Sequence, residues 1–185
     1  TVVDTVTYTY DTTWGDLLIG YNGKTITSDT IGNILSDGTW NYTWEHGREL
    51  ASMSGGGTTW NFTYDANGMR TARSNGSRTY SYIYDGSSLS QLAVDNHTMR
   101  FTYDAFGSPL SITYDGTEYY YVLNLQGDVV AILNTSGTMV VQYTYDAWGK
   151  LLSTTGSMAS DLGVHNPLRY RGYVYDTETG LYYLQ

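Results

Sequence analysis

The chain has 185 residues, and its 18 acidic against 9 basic side chains give a formal charge of −9. That charge repels phosphate backbones and anionic lipid, and so argues against nucleic-acid partners and membrane-surface roles. With no cysteine, disulfide staples, cysteine-based zinc sites and thiol nucleophiles are excluded, and packing alone must hold the fold. Only 41% of the residues are apolar, while Tyr contributes 20 and Gly 21, the usage of short aromatic strands joined by tight turns.

The N-terminus, Thr1-Val2-Val3-Asp4, carries no basic-then-apolar leader, and within a few residues the chain enters a repeat-like segment. It reads as a piece excised from a longer array. The longest apolar run, Val129 to Leu133, is far below the ~20 residues of a membrane helix, so no membrane insertion is expected.

An aromatic-x-aromatic-acid signature then recurs along the sequence. Its copies are Tyr8-Thr-Tyr10-Asp11, Tyr42-Thr-Trp44-Glu45, Phe62-Thr-Tyr64-Asp65, Tyr82-Ile-Tyr84-Asp85, Phe101-Thr-Tyr103-Asp104, Tyr143-Thr-Tyr145-Asp146 and Tyr173-Val-Tyr175-Asp176, with degenerate copies around Asp29 and Asn124. The step is roughly twenty residues, enough for two strands and two turns but short for a helical pair, so each repeat reads as one β-hairpin.

The turns agree. Asp65-Ala-Asn-Gly68, Asp104-Ala-Phe-Gly107 and Asp146-Ala-Trp-Gly149 place Asp where its side chain caps the turn and Gly where positive φ is needed. Gly55-Gly56-Gly57, Asn75-Gly76 and Asp115-Gly116 suit the opposite hairpin ends. Alternation puts Trp40, Tyr42 and Trp44 on one face, with Trp60, Phe62, Tyr64 and Tyr80, Tyr82, Tyr84 likewise, against polar Asn41, Thr43, Asn61, Thr63 and Ser81. The expected fold is therefore all-β, an antiparallel meander of hairpin repeats forming a strongly curved sheet. Its open edges invite self-association.

Hairpin repeats are expected over 1–152, an irregular connecting segment, a loop or short helical turn, over 153–165, and a C-terminal motif over 166–185, all in one structural unit. That motif, Asn166-Pro167-Leu168-Arg169-Tyr170-Arg171-Gly172-Tyr173-Val174-Tyr175-Asp176-Thr177-Glu178-Thr179-Gly180-Leu181-Tyr182-Tyr183-Leu184-Gln185, closely resembles the conserved core that ends Rhs/YD-repeat regions. The upstream repeats extend the resemblance over essentially the whole chain.

The resemblance implies a long sheet wound into a hollow shell, as in bacterial polymorphic toxins, insecticidal toxin complexes and animal teneurins. Bacterial members enclose a variable C-terminal toxin, often released by autoproteolysis beyond the core. The aspartates of that cleavage would lie past Gln185, so the resemblance carries over no catalytic residue. It implies a secreted or cell-surface location, with neighbouring repeats or a C-terminal toxin cargo of the parent protein as partners.

Chemistry beyond this is sparse. His46, His97 and His165 fall in different repeats without ligand spacing, so neither metal nor cofactor is expected. Ser157, Ser160, Asp161 and His165 have the residue types of a hydrolase triad but lack a nucleophile elbow. The Asp-x-x-Gly turns offer too few carboxylates for calcium. Asn-x-Ser/Thr sequons such as Asn41-Tyr-Thr43 and Asn61-Phe-Thr63 lie within strands and read as polar-face residues. The sequence thus points to a non-enzymatic shell or scaffold segment. The alternative is a carbohydrate-binding repeat module that presents exposed Tyr and Trp to glycan rings.

Overall fold

The computed structural model describes residues 5–184; Thr1–Asp4 and Gln185, the two ends read above, lie outside them. The chain separates at Tyr80/Ser81 into two compact units. No helix among the described residues is long and apolar enough to cross a membrane.

The first unit opens with a small antiparallel sheet of β1 (Tyr8–Tyr10), β2 (Leu18–Tyr21) and β3 (Lys24–Thr25). A meander follows, each strand pairing antiparallel with the next: β4 (Thr27–Ser28), β5 (Ile34–Ser36), β6 (Asn41–Glu45), β7 (Glu49–Gly55), β8 (Thr58–Tyr64) and β9 (Arg70–Ser74). The boundary falls within β10 (Thr79–Asp85). Alternation decides burial: in β8, Trp60 and Phe62 are buried while Asn61 and Thr63 are exposed. Arg73 is buried too, its guanidinium 4.6 Å from the Trp60 ring centre and 3.7 Å from that of Tyr80. The aromatic faces thus hold a cation that an aliphatic core would not tolerate.

In the second unit the meander runs through β11 (Ser88–Val94), β12 (His97–Tyr103), β13 (Pro109–Tyr114), β14 (Thr117–Leu123), β15 (Val129–Asn134), β16 (Met139–Tyr145) and β17 (Leu151–Thr155). Met99, Ile112, Val129, Ile132 and Val141 are fully buried along it. The chain then leaves the sheet through a single-turn helix α1 (Leu162–His165) and a 3-10 turn (Tyr170–Gly172), and closes on the hairpin of β18 (Val174–Asp176) and β19 (Leu181–Tyr183).

Two kinds of turn build the meander. At Asp65, Asp104, Asn124 and Asp146 the side-chain oxygen accepts the N–H groups two and four residues on, and the glycine N–H closes back to the carbonyl of the same residue. Each is accompanied by a register shift one residue earlier, as at Thr102/Tyr103 and Thr144/Tyr145. A type I turn closed by a left-handed glycine and a bulge explains the pattern. Several opposite ends use two-residue turns in which both residues have positive φ, as at His46-Gly47 and Asp115-Gly116.

Candidate functional site

The repeat positions act as fasteners. The first aromatic is buried in four copies, at Phe62, Tyr82, Phe101 and Tyr143, half-buried at Tyr42 and exposed at Tyr8 and Tyr173. In three copies the second is half-buried and its hydroxyl donates to a backbone carbonyl of an earlier strand: Tyr64 to Leu50 (3.1 Å), Tyr103 to Leu89 (2.8 Å) and Tyr145 to Val129 (2.8 Å). Trp44 does the same through its indole N–H to Ile34 (2.7 Å). These four repeats are therefore tied to the strands before them by a polar tip on an apolar ring.

The acidic positions divide. Asp11, Asp65, Asp104 and Asp146 fold onto turn N–H groups, with Gly68, Gly107 and Gly149 in left-handed backbone behind the last three. Glu45 and Asp85 instead end their strands before the two-residue turns and are exposed. Tyr10 is exposed on β1, and Tyr84 is half-buried on β10. The most exposed aromatics are Phe106 and Trp148, at 94% and 91%, on the tips of the Asp104 and Asp146 turns.

The C-terminal motif folds back over β14 to β17. Arg169 is buried, its guanidinium 4.8 Å from the Tyr143 ring and 4.7 Å from the Tyr175 ring, and it donates to the carbonyls of Asn166, Gly163 and Val164. Tyr170 packs between Tyr145 and Tyr182, while the Arg171 N–H reaches the buried Asp128 carboxylate at 2.9 Å. Gly172 and Gly180 hold positive φ, and the Gly180 N–H closes the last turn on the Asp176 carbonyl.

The same fold-back builds a cluster that repeat spacing does not reveal. After β17, Gly156 (φ 113°) lies against the Val140 backbone, where a side chain would collide, and the Met158 N–H returns to the Val140 carbonyl. The buried Leu162 and a hydrogen bond from the Tyr143 hydroxyl to the Gly163 carbonyl (2.9 Å) then seat α1. Asp161 and His165 are thereby carried to the end of the β12–β13–β14 hairpins, beside His97, Tyr114 and Asp115.

The Tyr114 hydroxyl is the hub. It donates to Asp161 Oδ1 at 2.5 Å, while Nδ1 of His97 (2.8 Å) and Nδ1 of His165 (3.2 Å) approach the same oxygen. His97 Nδ1 also lies 2.6 Å from Asp115 Oδ2, and the two imidazoles are 4.3 Å apart, centre to centre. Burial, the hydrogen bond to Asp161 and the nearby carboxylate charges push the Tyr114 phenol far above its usual pKa. Partial desolvation acts to raise the pKa of Asp115, but the Thr98 N–H and the His97 ring outweigh it and hold the carboxyl below its ordinary value. Among the described residues His97, Asp161 and His165 each place a ligand atom within 4.8 Å of the others. Of the residues with hydrolase-triad chemistry, Asp161 and His165 meet, with 3.6 Å between carboxylate and ring nitrogen, whereas no described hydrogen bond joins Ser157 or Ser160 to them.

No family model matches the chain. By sequence it is 38% identical over 170 residues to the tRNA3(Ser)-specific nuclease WapA of Bacillus spizizenii and 40% identical over 170 residues to the tRNA nuclease WapA of Bacillus subtilis strain 168. Either alignment takes in 88% of this chain and 7% of the relative. By structure it is similar to a crystallised TcdB2-TccC3-Cdc42 complex (TM-score 0.62, 16% identity) and to the Photorhabdus luminescens Tc holotoxin pore (TM-score 0.60, 17% identity), covering 96% of this chain and 11% of each of those. The fold is that of the Rhs/YD repeats.

One expectation is overturned. The sequence alone pointed away from an enzyme, yet proteins 38–40% identical across most of this chain are named as tRNA nucleases. A repeat pattern reports fold, and a stretch aligned to 7% of a relative carries no signal of the chemistry of the whole. For the same reason, the acidity of this stretch does not report on the substrates of such proteins.

Proposed function

We propose that this chain is a stretch of the Rhs/YD-repeat array of a larger, secreted or cell-surface nuclease toxin, and that it forms part of the shell or scaffold that encloses or presents the toxin's active domain. The observation that carries this reading is the 38–40% identity over 170 residues to proteins named as tRNA nucleases. The fastened meander suits the role. Each hairpin buries its aromatic face against its neighbours and can be repeated without limit, as a shell wall requires.

The test is made on the parent protein. Limited proteolysis of the intact parent should leave a tRNA-cleaving domain protected, and deleting this array should expose that domain to protease. Equal protease sensitivity of the domain with and without the array would reject enclosure. Absence of tRNA cleavage by the parent would reject the nuclease assignment. A carbohydrate-binding reading rests on the exposed rings of Phe106 and Trp148. Glycan-array binding that is lost in Trp148→Ala would favour it.

A further inference from the structure

The geometry points to a divalent transition-metal site, zinc being the natural occupant, formed by His97, Asp161 and His165 at the junction of the second unit's sheet and α1. Three features argue for it. Two imidazoles and a carboxylate, the donor set that zinc and related ions prefer, place their ligand atoms within 4.8 Å of one another. An ion held at ~2.0–2.2 Å by each would bring neighbouring donors to roughly 3.3 Å apart, so the side chains need to close by about an ångström or somewhat more. That is within the reach of rotamer adjustment.

The second feature is a supporting shell. Asp115 Oδ2 lies 2.6 Å from His97 Nδ1 and is itself fixed by the Thr98 N–H at 2.8 Å, so with Nε2 of His97 on the ion the Nδ1–H would donate to a carboxylate of the kind that orients metal-binding histidines. The Tyr114 hydroxyl, against Asp161 Oδ1 and Nδ1 of both imidazoles, ties the three candidate ligands together by hydrogen bonds.

The third is charge and access. Two carboxylates face two imidazoles there, so a dication would be balanced by Asp161 and Asp115 without requiring either ring to be protonated. The side chain of His165 is 19% exposed, that of His97 31% and that of Asp161 51%, so an ion can enter from solvent while the sheet backs the site. Binding would displace the protons now shared around the Tyr114 hydroxyl, and would clamp α1 to β12 and β13.

The experiment uses the untagged 185-residue chain. It carries only three histidines, so their imidazole NMR signals can be followed individually during titration with Zn²⁺. The expected result is saturation at one ion per chain, with His97 and His165 shifting together and His46 unmoved. Co²⁺ should give visible absorption bands that Zn²⁺ abolishes at one equivalent. His97→Ala and His165→Ala should each weaken Zn²⁺ binding tenfold or more, and His46→Ala should leave it unchanged. Absence of saturable binding, or shifts in His46 equal to those of His97 and His165, would overturn the site. The NMR readout on the unmodified chain stands even if a histidine variant fails to fold.

Discussion

The Tyr121 hydroxyl donates a 2.6 Å hydrogen bond to the side-chain oxygen of Asn166, which is wholly buried. The Asn166 amide in turn donates to the Leu168 carbonyl at 2.8 Å and the Tyr143 hydroxyl at 3.3 Å. One side chain therefore joins two strands of the sheet to the C-terminal motif. Asn166→Ala strands buried polar groups on both sides, at a cost of about 1–3 kcal/mol each. We expect an overall loss of about 2–4 kcal/mol in urea denaturation, with Tyr121→Phe losing less. Equal stability of Asn166→Ala and the parent sequence would refute the joining role.

Arg169 supplies a second tie, with a guanidinium that spans three carbonyls between two tyrosine rings. Lysine keeps the charge but has neither the planar fork nor its stacking faces. Arg169→Lys should cost about 2–3 kcal/mol. Arg100→Lys, on a side chain whose described contact is an exposed one to Gln91, should stay within about 0.5 kcal/mol. Thermal melting of the two variants side by side checks the difference.

Glycines in equivalent turns should respond unequally. Gly107 and Gly149 both have positive φ, 82° and 88°, so alanine at either is strained by about 1–2 kcal/mol. At Gly107 nothing lies within 4 Å of the added methyl, whereas at Gly149 it would meet the Tyr170 ring at 2.5 Å. Gly149→Ala should therefore lower the melting temperature well beyond Gly107→Ala and loosen the C-terminal motif, seen as faster amide exchange over Leu168–Tyr175. Matching melting temperatures would show that Tyr170 moves aside freely.

Stability should fall at both ends of the pH range. The N–H groups of Ser108 and Phe106 hold the Asp104 carboxyl below its ordinary value, so its contribution is present above the unfolded pKa of about 3.9 and is lost as pH falls through the folded one. At the alkaline end, burial pushes Tyr103 and Tyr182 up to about 12. Their contribution is complete below the unfolded pKa of about 10 and disappears as pH rises from there through 12. Tyrosinate absorbance beyond that of the exposed tyrosines should appear together with unfolding in that window, and Tyr103→Phe should shift the transition. Tyrosinate absorbance from all 20 tyrosines at about pH 10 in a chain that remains folded would contradict the buried hydroxyls.

The hairpin array was legible in the sequence because its determinants are local. Alternation of Trp60, Phe62 and Tyr64 with polar neighbours sets the buried face, and Asp104-Ala-Phe-Gly107 contains its own capping oxygen and its own left-handed residue. The motif alone did not separate Asp65, which caps a bulged turn, from Asp85, which ends a strand. The difference lies in the glycine that follows, three positions on at Gly68 but immediately at Gly86.

Composition, period and turn chemistry by themselves determined an antiparallel, aromatic-faced meander, because strand alternation and turn closure act within a few residues. Only the tertiary structure decided where the chain goes after Thr155. The return of Gly156 across β16, the burial of Leu162 and the seating of Asn166 and Arg169 against distant tyrosines depend on surfaces that other strands create. His97 and His165 meet for that reason alone. Their separation in sequence contains no period, and their 4.3 Å approach is the result of packing that brings α1 onto the sheet.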